Sequence, residues 1–462
     1  MNHHQLRQKY PKFIYESFSH RIKNGQLICE FKYSIAPDHT FTHTVSFENL
    51  STPPGWTKVE TPRGWPNGLP RGGVLDNLIF HLGLAEIFSY WKLTSSPIVE
   101  IAAGHLAPDQ IKFWHKLFIN GMGQYFYENR IDFTGNDFIT ISSSNTSPLH
   151  PSPGRRHELS ENLGEGTRER GTSEVLVPLG GGKDSIVTAE LLKNHFPIRP
   201  IIVHPTTPAS LRISNLLGHQ DPIFVHRKLD PKMLELTNQG YLTGHIPYSA
   251  ILAFIFLLAA ATENIPYVAV SNETSSNEGN VEYLGSTINH QYSKTLEFEQ
   301  DFNSYLKHLG SNISFFSFLR PLHELQIARL FSKMPHYFKD FRSCNKNQQA
   351  DSWCGRCPKC LSVALSLIPW IGEAKVVEIM GVNPLTDPTN HELLAQMTDP
   401  SQVKPFECIV TTEEAQICLE FIQQGQTARV REFLHRLGPS TMPPKFAKIL
   451  KNAYTEGAYA NS

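Results

Sequence analysis

Three short segments of the sequence carry side chains from which chemistry can be built, and the richest is Gly180-Gly181-Gly182-Lys183-Asp184-Ser185. Glycines let a backbone turn tightly and present bare N–H groups. A helix beginning just after them adds the positive end of its dipole, so a phosphate group would be held there. In that setting Lys183 offsets anionic charge, Asp184 is placed to hold a magnesium ion, and Ser185 can donate to a phosphate oxygen. The bland alternative is a glycine-rich turn in which Asp184 or Ser185 caps a helix. The whole string, set between a strand and a helix, favours the phosphate site. It is neither the Walker A pattern nor the dinucleotide fingerprint.

The second segment spaces four cysteines as Cys344-x9-Cys354-x2-Cys357-x2-Cys360. Four thiolates at such short intervals can close a tetrahedral zinc site, with Gly355 and Pro358 supplying the tight turns between them. A closed site of this kind is structural. Buried or redox cysteines are the competing reading, and the clustering argues against it. The third segment, Ser271–Asn280, offers Glu273 and Glu278 among amides and hydroxyls. A solvated loop and a functional loop weigh evenly here, because the segment follows a buried strand. Weaker candidates are His245, in a turn before an apolar helix, His290 and Cys408. A lone cysteine is more often a small buried hydrophobe than a nucleophile.

Elements must bring these segments together. After residue 174 the pattern alternates: strands are expected at Glu174–Leu179, Ile198–His204, Pro222–His226 and Pro266–Ser271, with helices at Asp184–His195 and Tyr248–Glu263. Strands alternating with helices imply a parallel sheet with right-handed crossovers. Ligands sit at the carboxyl ends of such strands, where the glycine string and the Ser271 loop both fall. Before residue 142, Gln26–Tyr33 and Thr40–Phe47 read as paired strands, and Leu75–Leu93 and Ala107–Asn129 as helices. The expected organisation is an α+β N-terminal domain at 1–141 and a flexible linker at 142–173. A catalytic α/β domain at 174–370 and a helical region at 371–462 complete it.

Bulk properties narrow the class. The 462 residues suit two or three domains; 40% are apolar, and 42 basic side chains face 43 acidic ones. That balance does not indicate a nucleic-acid partner. The apolar run Ala250–Ala261 is about half of the ~20 residues that span a bilayer, so no membrane insertion is expected. An odd count of seven cysteines, four of them clustered, suggests a reducing, cytoplasmic compartment.

The glycine string resembles the PP-loop of N-type ATP pyrophosphatases, with Gly180 where the leading serine is usual. The order of glycine loop, buried helix, Asn/Glu-rich loop, Arg320–Leu325 and cysteine cluster is similar to 7-cyano-7-deazaguanine synthase from Glu174 to Leu367. Nearly the full length resembles the UDP-N-acetylmuramoyl-L-alanyl-L-glutamate epimerase family. The strings that carry this are Gly180–Ser185, Val270–Asn280, Phe341–Asn345, Trp353–Cys360 and Lys404–Cys408, with Ser89–Asn129 in the N-terminal part. The resemblance implies an α/β fold around a central parallel sheet of the adenine-nucleotide α-hydrolase (PP-loop) type. It implies ATP and Mg2+ at Gly180–Ser185, structural Zn2+ at the cysteines, and a UDP-linked muramoyl dipeptide whose terminal L-glutamate is adenylated and epimerised for peptidoglycan. His245, Glu273 and Glu278 are the candidate acid–base groups, beside His290 and Cys408. Other readings are an amidating PP-loop ligase, a tRNA-modifying PP-loop enzyme and a zinc-stabilised nucleotide-binding module.

Overall fold

The computed structural model of the protein describes residues 2–51, 73–143 and 174–456. Of the linker expected at 142–173, residues 144–173 lie outside the described residues, and Ser142 and Ser143 close a strand. The strands in chain order are β1 Lys12–Lys23, β2 Gln26–Ala36, β3 His39–Glu48, β4 Ile98–Ile101, β5 Thr140–Ser143 and β6 Val175–Pro178. They continue with β7 Ile198–Val203, β8 Ile223–Lys228, β9 Tyr267–Val270, β10 Val281–Tyr283, β11 Ser286–Ile288 and β12 Ser314–Ser317. β10 and β11 form a separate hairpin.

The other ten strands form one sheet, ordered β12-β9-β6-β7-β8-β3-β2-β1-β4-β5. From β12 to β8 the neighbours run parallel. β3 then pairs antiparallel with β8, so strands from both sides of residues 144–173 share the sheet. β1, β2 and β3 are an antiparallel meander, and β4 and β5 add in parallel beyond β1. The fold is therefore mixed α/β, with a large, mostly parallel sheet.

Period-two alternation places the core on both faces. Val175 and Val177 of β6, Ala269 of β9 and Phe316 of β12 pack with the helices Lys183–Lys193, Glu324–Ser332 and Pro358–Ile371. Their neighbours Leu176, Val268 and Phe315 face the opposite way, toward the helices Gly73–Glu86, Tyr248–Thr262 and Leu296–His308. Helix Tyr248–Thr262 is apolar all round because it is buried from Ala250 to Ala261 apart from the partly buried Leu252. Trp114 locks the N-terminal helices onto this layer: its ring stacks on Phe254 and its Nε1 donates to Tyr305 Oη at 2.9 Å. The C-terminal region is helical, from Glu373–Met380 to Pro444–Glu456, and Leu325, Leu361 and Leu365 pack into its core. Among the described residues no helix is long and apolar enough to cross a membrane.

A candidate active site at the switch point of the sheet

The chain leaves β6 toward β7 and β8 on one side, then returns to lay β9 and β12 on the other. A crevice opens where strand order reverses in this way. Here it is a cleft of about 330 Å³ at the carboxyl ends of β6 and β9. Gly180, Gly182, Asp184 and Ser185 line it from the β6 side, and Ser271, Asn272 and Glu273 from the β9 side. Gly182 is the N-cap of helix Lys183–Lys193, so that helix points its N-terminus at the cleft. Gly181 has φ +83°, and a Cβ on it would meet the backbone nitrogen of Ser210 at 2.8 Å. Only glycine fits that position.

Lys183 does not face the cleft. It is 1% exposed and binds the carboxylates of Asp184 and Glu324 beneath the loop. Two lysines that motif reading did not single out line the cleft instead. Lys359 Nζ lies 3.3 Å from Glu324 Oε1 and donates to the Cys408 carbonyl at 2.7 Å. Lys294 Nζ donates to Cys408 Sγ at 2.9 Å. Burial works against the charged form of Glu324, but Lys183 and Lys359 outweigh it and hold its carboxyl below the usual range. Glu273 goes the other way: burial, then the charge of Glu324, push it up to about 7 against the pull of Lys294.

Arg320 sets the placement of the Glu273 and Lys294 segments. Fully buried, it donates to the carbonyls of Glu273 at 2.8 Å and Lys294 at 2.5 Å, and pairs with Glu299 at 3.2 Å. The Ser271–Asn280 segment is thus no solvated loop; Glu273, Ser275 and Ser276 are buried. Ser271 Oγ is buried at the cleft without a protein hydrogen-bond partner.

Two of the sequence candidates stand elsewhere. Glu278 pairs with Lys404 at 3.0 Å and accepts the Thr412 N–H, at the start of helix Thr412–Gln424, and it does not line the cleft. His245 lies outside the lining too, its ring 4.4 Å from that of His290. Burial lowers both, to about 3 and about 4, so the pair is neutral at ordinary pH. Cys408, which sequence reasoning treats as a small hydrophobe, is partly exposed on the cleft wall.

The four cysteines converge. Their sulfurs lie within 4.8 Å of one another, with Cys344–Cys357 at 4.0 Å and Cys354–Cys360 at 3.8 Å. Metal–sulfur bonds of about 2.3 Å in a tetrahedron require edges of about 3.8 Å, so the donor set fits zinc. Backbone N–H groups of Asn347 and Cys354 aim at Cys344 Sγ, and that of Cys360 at Cys357 Sγ, as thiolate acceptors need. The knot also shapes the cleft, because Ser343 and Asn345 flank Cys344 and Lys359 lies between Cys357 and Cys360.

Comparison with known sequences decides the family. The MurL N-terminal domain matches residues 4–318 and the MurL C-terminal domain residues 340–447. The chain belongs to the MurL family. A relative from Xanthomonas oryzae pv. oryzae is 29% identical over 366 residues, 77% of each chain. One from Salinispora tropica is 28% identical over 433 residues, 91% of this chain and 87% of its own. One from a Micromonospora species is 28% identical over 490 residues, 97% and 100%. All three are named UDP-N-acetyl-alpha-D-muramoyl-L-alanyl-L-glutamate epimerase. No solved structure matches the chain. In this MurL chain the cleft draws on both matched regions, Pro178–Phe315 from the first and Arg342–Cys408 from the second.

Proposed function

We propose that this MurL chain epimerises the terminal L-glutamate of UDP-N-acetylmuramoyl-L-alanyl-L-glutamate to D-glutamate, through an acyl-adenylate, with release of AMP and pyrophosphate. The observation that carries this reading is a glycine loop and two lysines meeting at the switch-point cleft of a chain whose relatives bear that enzyme's name. The same placement, loop after β6 and before a helix, supports a sheet of the PP-loop type. The product would serve peptidoglycan synthesis, in the cytoplasm.

ATP, when bound, supplies the adenylyl group that removes the carboxylate's charge and makes the α-proton acidic. Gly180, Gly182 and Ser185 would hold its phosphates and Asp184 its Mg2+. Lys294 and Lys359 would face the anionic groups, and Ser271 Oγ gains a partner. Cys344, Cys354, Cys357 and Cys360 would hold a structural Zn2+ that fixes the Ser343–Asn345 wall and Lys359. Metal analysis of protein purified without added zinc should find one zinc per chain, and Cys357→Ser should unfold early. A metal-free chain of equal stability would overturn the zinc assignment.

The reaction is tested with the UDP-linked dipeptide, ATP and magnesium in heavy water. The expected products are AMP, pyrophosphate and the D-glutamate isomer with one deuterium at the α-carbon. An amide product, or pyrophosphate without inversion, would reject epimerisation. ADP as the main product would reject the PP-loop reading as well.

A further inference from the structure

Inversion at a carbon needs one group to take a proton and another to return it on the opposite face. The cleft wall holds six ionisable side chains: Asp184, Glu273, Lys294, Arg342, Lys359 and Cys408. Arginine keeps its proton. Lys359 is tied to Glu324 and to the Cys408 carbonyl, and Asp184 to Lys183 and the glycine loop. Cys408, Lys294 and Glu273 remain.

Their arrangement suits proton transfer. Cys29 and Cys418 are wholly buried in apolar packing, whereas Cys408 opens onto the cleft with its sulfur 2.9 Å from Lys294 Nζ. A thiolate is the basic form of cysteine, and an ammonium is the partner that stabilises it. Lys359 fixes the backbone of Cys408, and Arg320 fixes those of Glu273 and Lys294, so the three groups hold a set geometry.

We propose that Cys408 and Glu273 are the two proton carriers at the inverted α-carbon, with Lys294 as the positioning residue that stabilises the Cys408 thiolate. This rests on the epimerase reading. The thiolate takes the α-proton: the C–H bond breaks, S–H forms, and the electron pair moves onto the activated carbonyl as an enolate. Protonated Glu273 then gives its proton to the other face: O–H breaks and C–H forms as the enolate pair returns. Exchange with water restores both groups. With its carboxyl pushed to about 7, Glu273 is present in acid and base forms at neutral pH.

The test uses the full chain. In Cys408→Ala and Cys408→Ser, inversion and α-deuterium uptake should fall by about 10²–10⁴-fold, while pyrophosphate release with the UDP-linked dipeptide persists. Separately, iodoacetamide labelling of Cys408, read on its peptide at neutral pH, should slow when Lys294→Gln removes the ammonium. Inversion by Cys408→Ala at the wild-type rate would overturn the proposal, as would labelling indifferent to Lys294→Gln. A wild-type chain that releases no pyrophosphate would instead sink the epimerase reading, and the labelling would still report the thiolate pair.

Discussion

Two clusters of buried charge lie against the same sheet and do opposite things. In the first, Arg227 of β8 grips Glu86 in a two-pronged pair at 2.8 and 2.6 Å, and His43 of β3 approaches Glu86 at 3.4 Å. The Tyr248 ring lies 5.1 Å from the Arg227 guanidinium. Glu86 is fully buried and Arg227 nearly so, and the pair joins helix Gly73–Glu86 to the sheet. In the second, Lys183, Glu324 and Lys359 form a chain whose one end, Lys359, opens onto the cleft beside Lys294 and Glu273. Burial raises Glu86 as it raises Glu273, but Arg227 and His43 dominate and hold Glu86 well below the usual range. Glu273 meets two neighbouring carboxylates, Glu324 and Asp184, and is left above it. A closed, matched pair is a clamp. An open cluster that leaves one carboxylate poised near neutrality is a site.

The largest effect should come from breaking the clamp. Arg227→Met leaves Glu86 without its guanidinium partner at 0% exposure, with only His43 beside it. Removing one partner of such a pair costs about 3–5 kcal/mol. Urea unfolding should show that loss, and a variant within about 1 kcal/mol of wild type would mean that the cluster is not a clamp.

A smaller change in stability with a large change in rate should mark the cleft. Asp184→Asn keeps the volume of a mostly buried side chain and removes the charge placed for magnesium. Turnover should drop about 10²–10³-fold, equivalent to about 2.7–4 kcal/mol in the transition state. Unfolding should move by less than in Arg227→Met, because Glu324 still pairs with the buried Lys183. Equal losses in stability and turnover would erase the distinction between the two clusters.

What was legible in the sequence was local. The glycine loop, the cysteine spacing and the strands from β6 to β9 each announce themselves within a few residues. The cleft lysines do not, because their partners are remote: Lys294 meets the Cys408 sulfur across 114 positions, and Lys359 meets the Cys408 carbonyl across 49. No spacing rule reaches so far. The continuity of the sheet was hidden for a related reason. β3 and β8 pair with Val45 opposite Arg227 and Phe47 opposite Val225, and either strand alone fits a separate sheet equally well. β1 also gave little sign of itself, since from Glu16 onward none of its residues is buried and its pattern there has no apolar face. Glu278 illustrates the reverse error. Its loop, weighed evenly between solvated and functional, contributes Ser271, Asn272 and Glu273 to the cleft, yet the Glu278 carboxylate is used up by Lys404 and the Thr412 N–H.

The smallest effect, and the sharpest contrast, concerns pH. Glu273 ionises near 7 in the folded chain against an ordinary value of 4.5. A carboxyl raised in this way binds more protons folded than unfolded between those two values. Its contribution to stability is therefore fully present below about 4.5 and is lost as pH rises through about 7. The loss is at most ~1.4 kcal/mol per pH unit. Glu86, lowered in the folded state, contributes the opposite slope: its stability is present above 4.5 and lost as pH falls below it. Glu273→Gln should thus match wild type near pH 5 and become the more stable of the two by pH 8. Glu86→Gln should be less stable than wild type at pH 8 and lose that deficit only in acid. Urea midpoints measured at pH 5, 6.5 and 8 give the Glu273 slope, while the Glu86→Gln difference should stay flat over the same range. A Glu273→Gln difference that stays flat across that range would place Glu273 with Glu86, as one more matched charge rather than a poised acid.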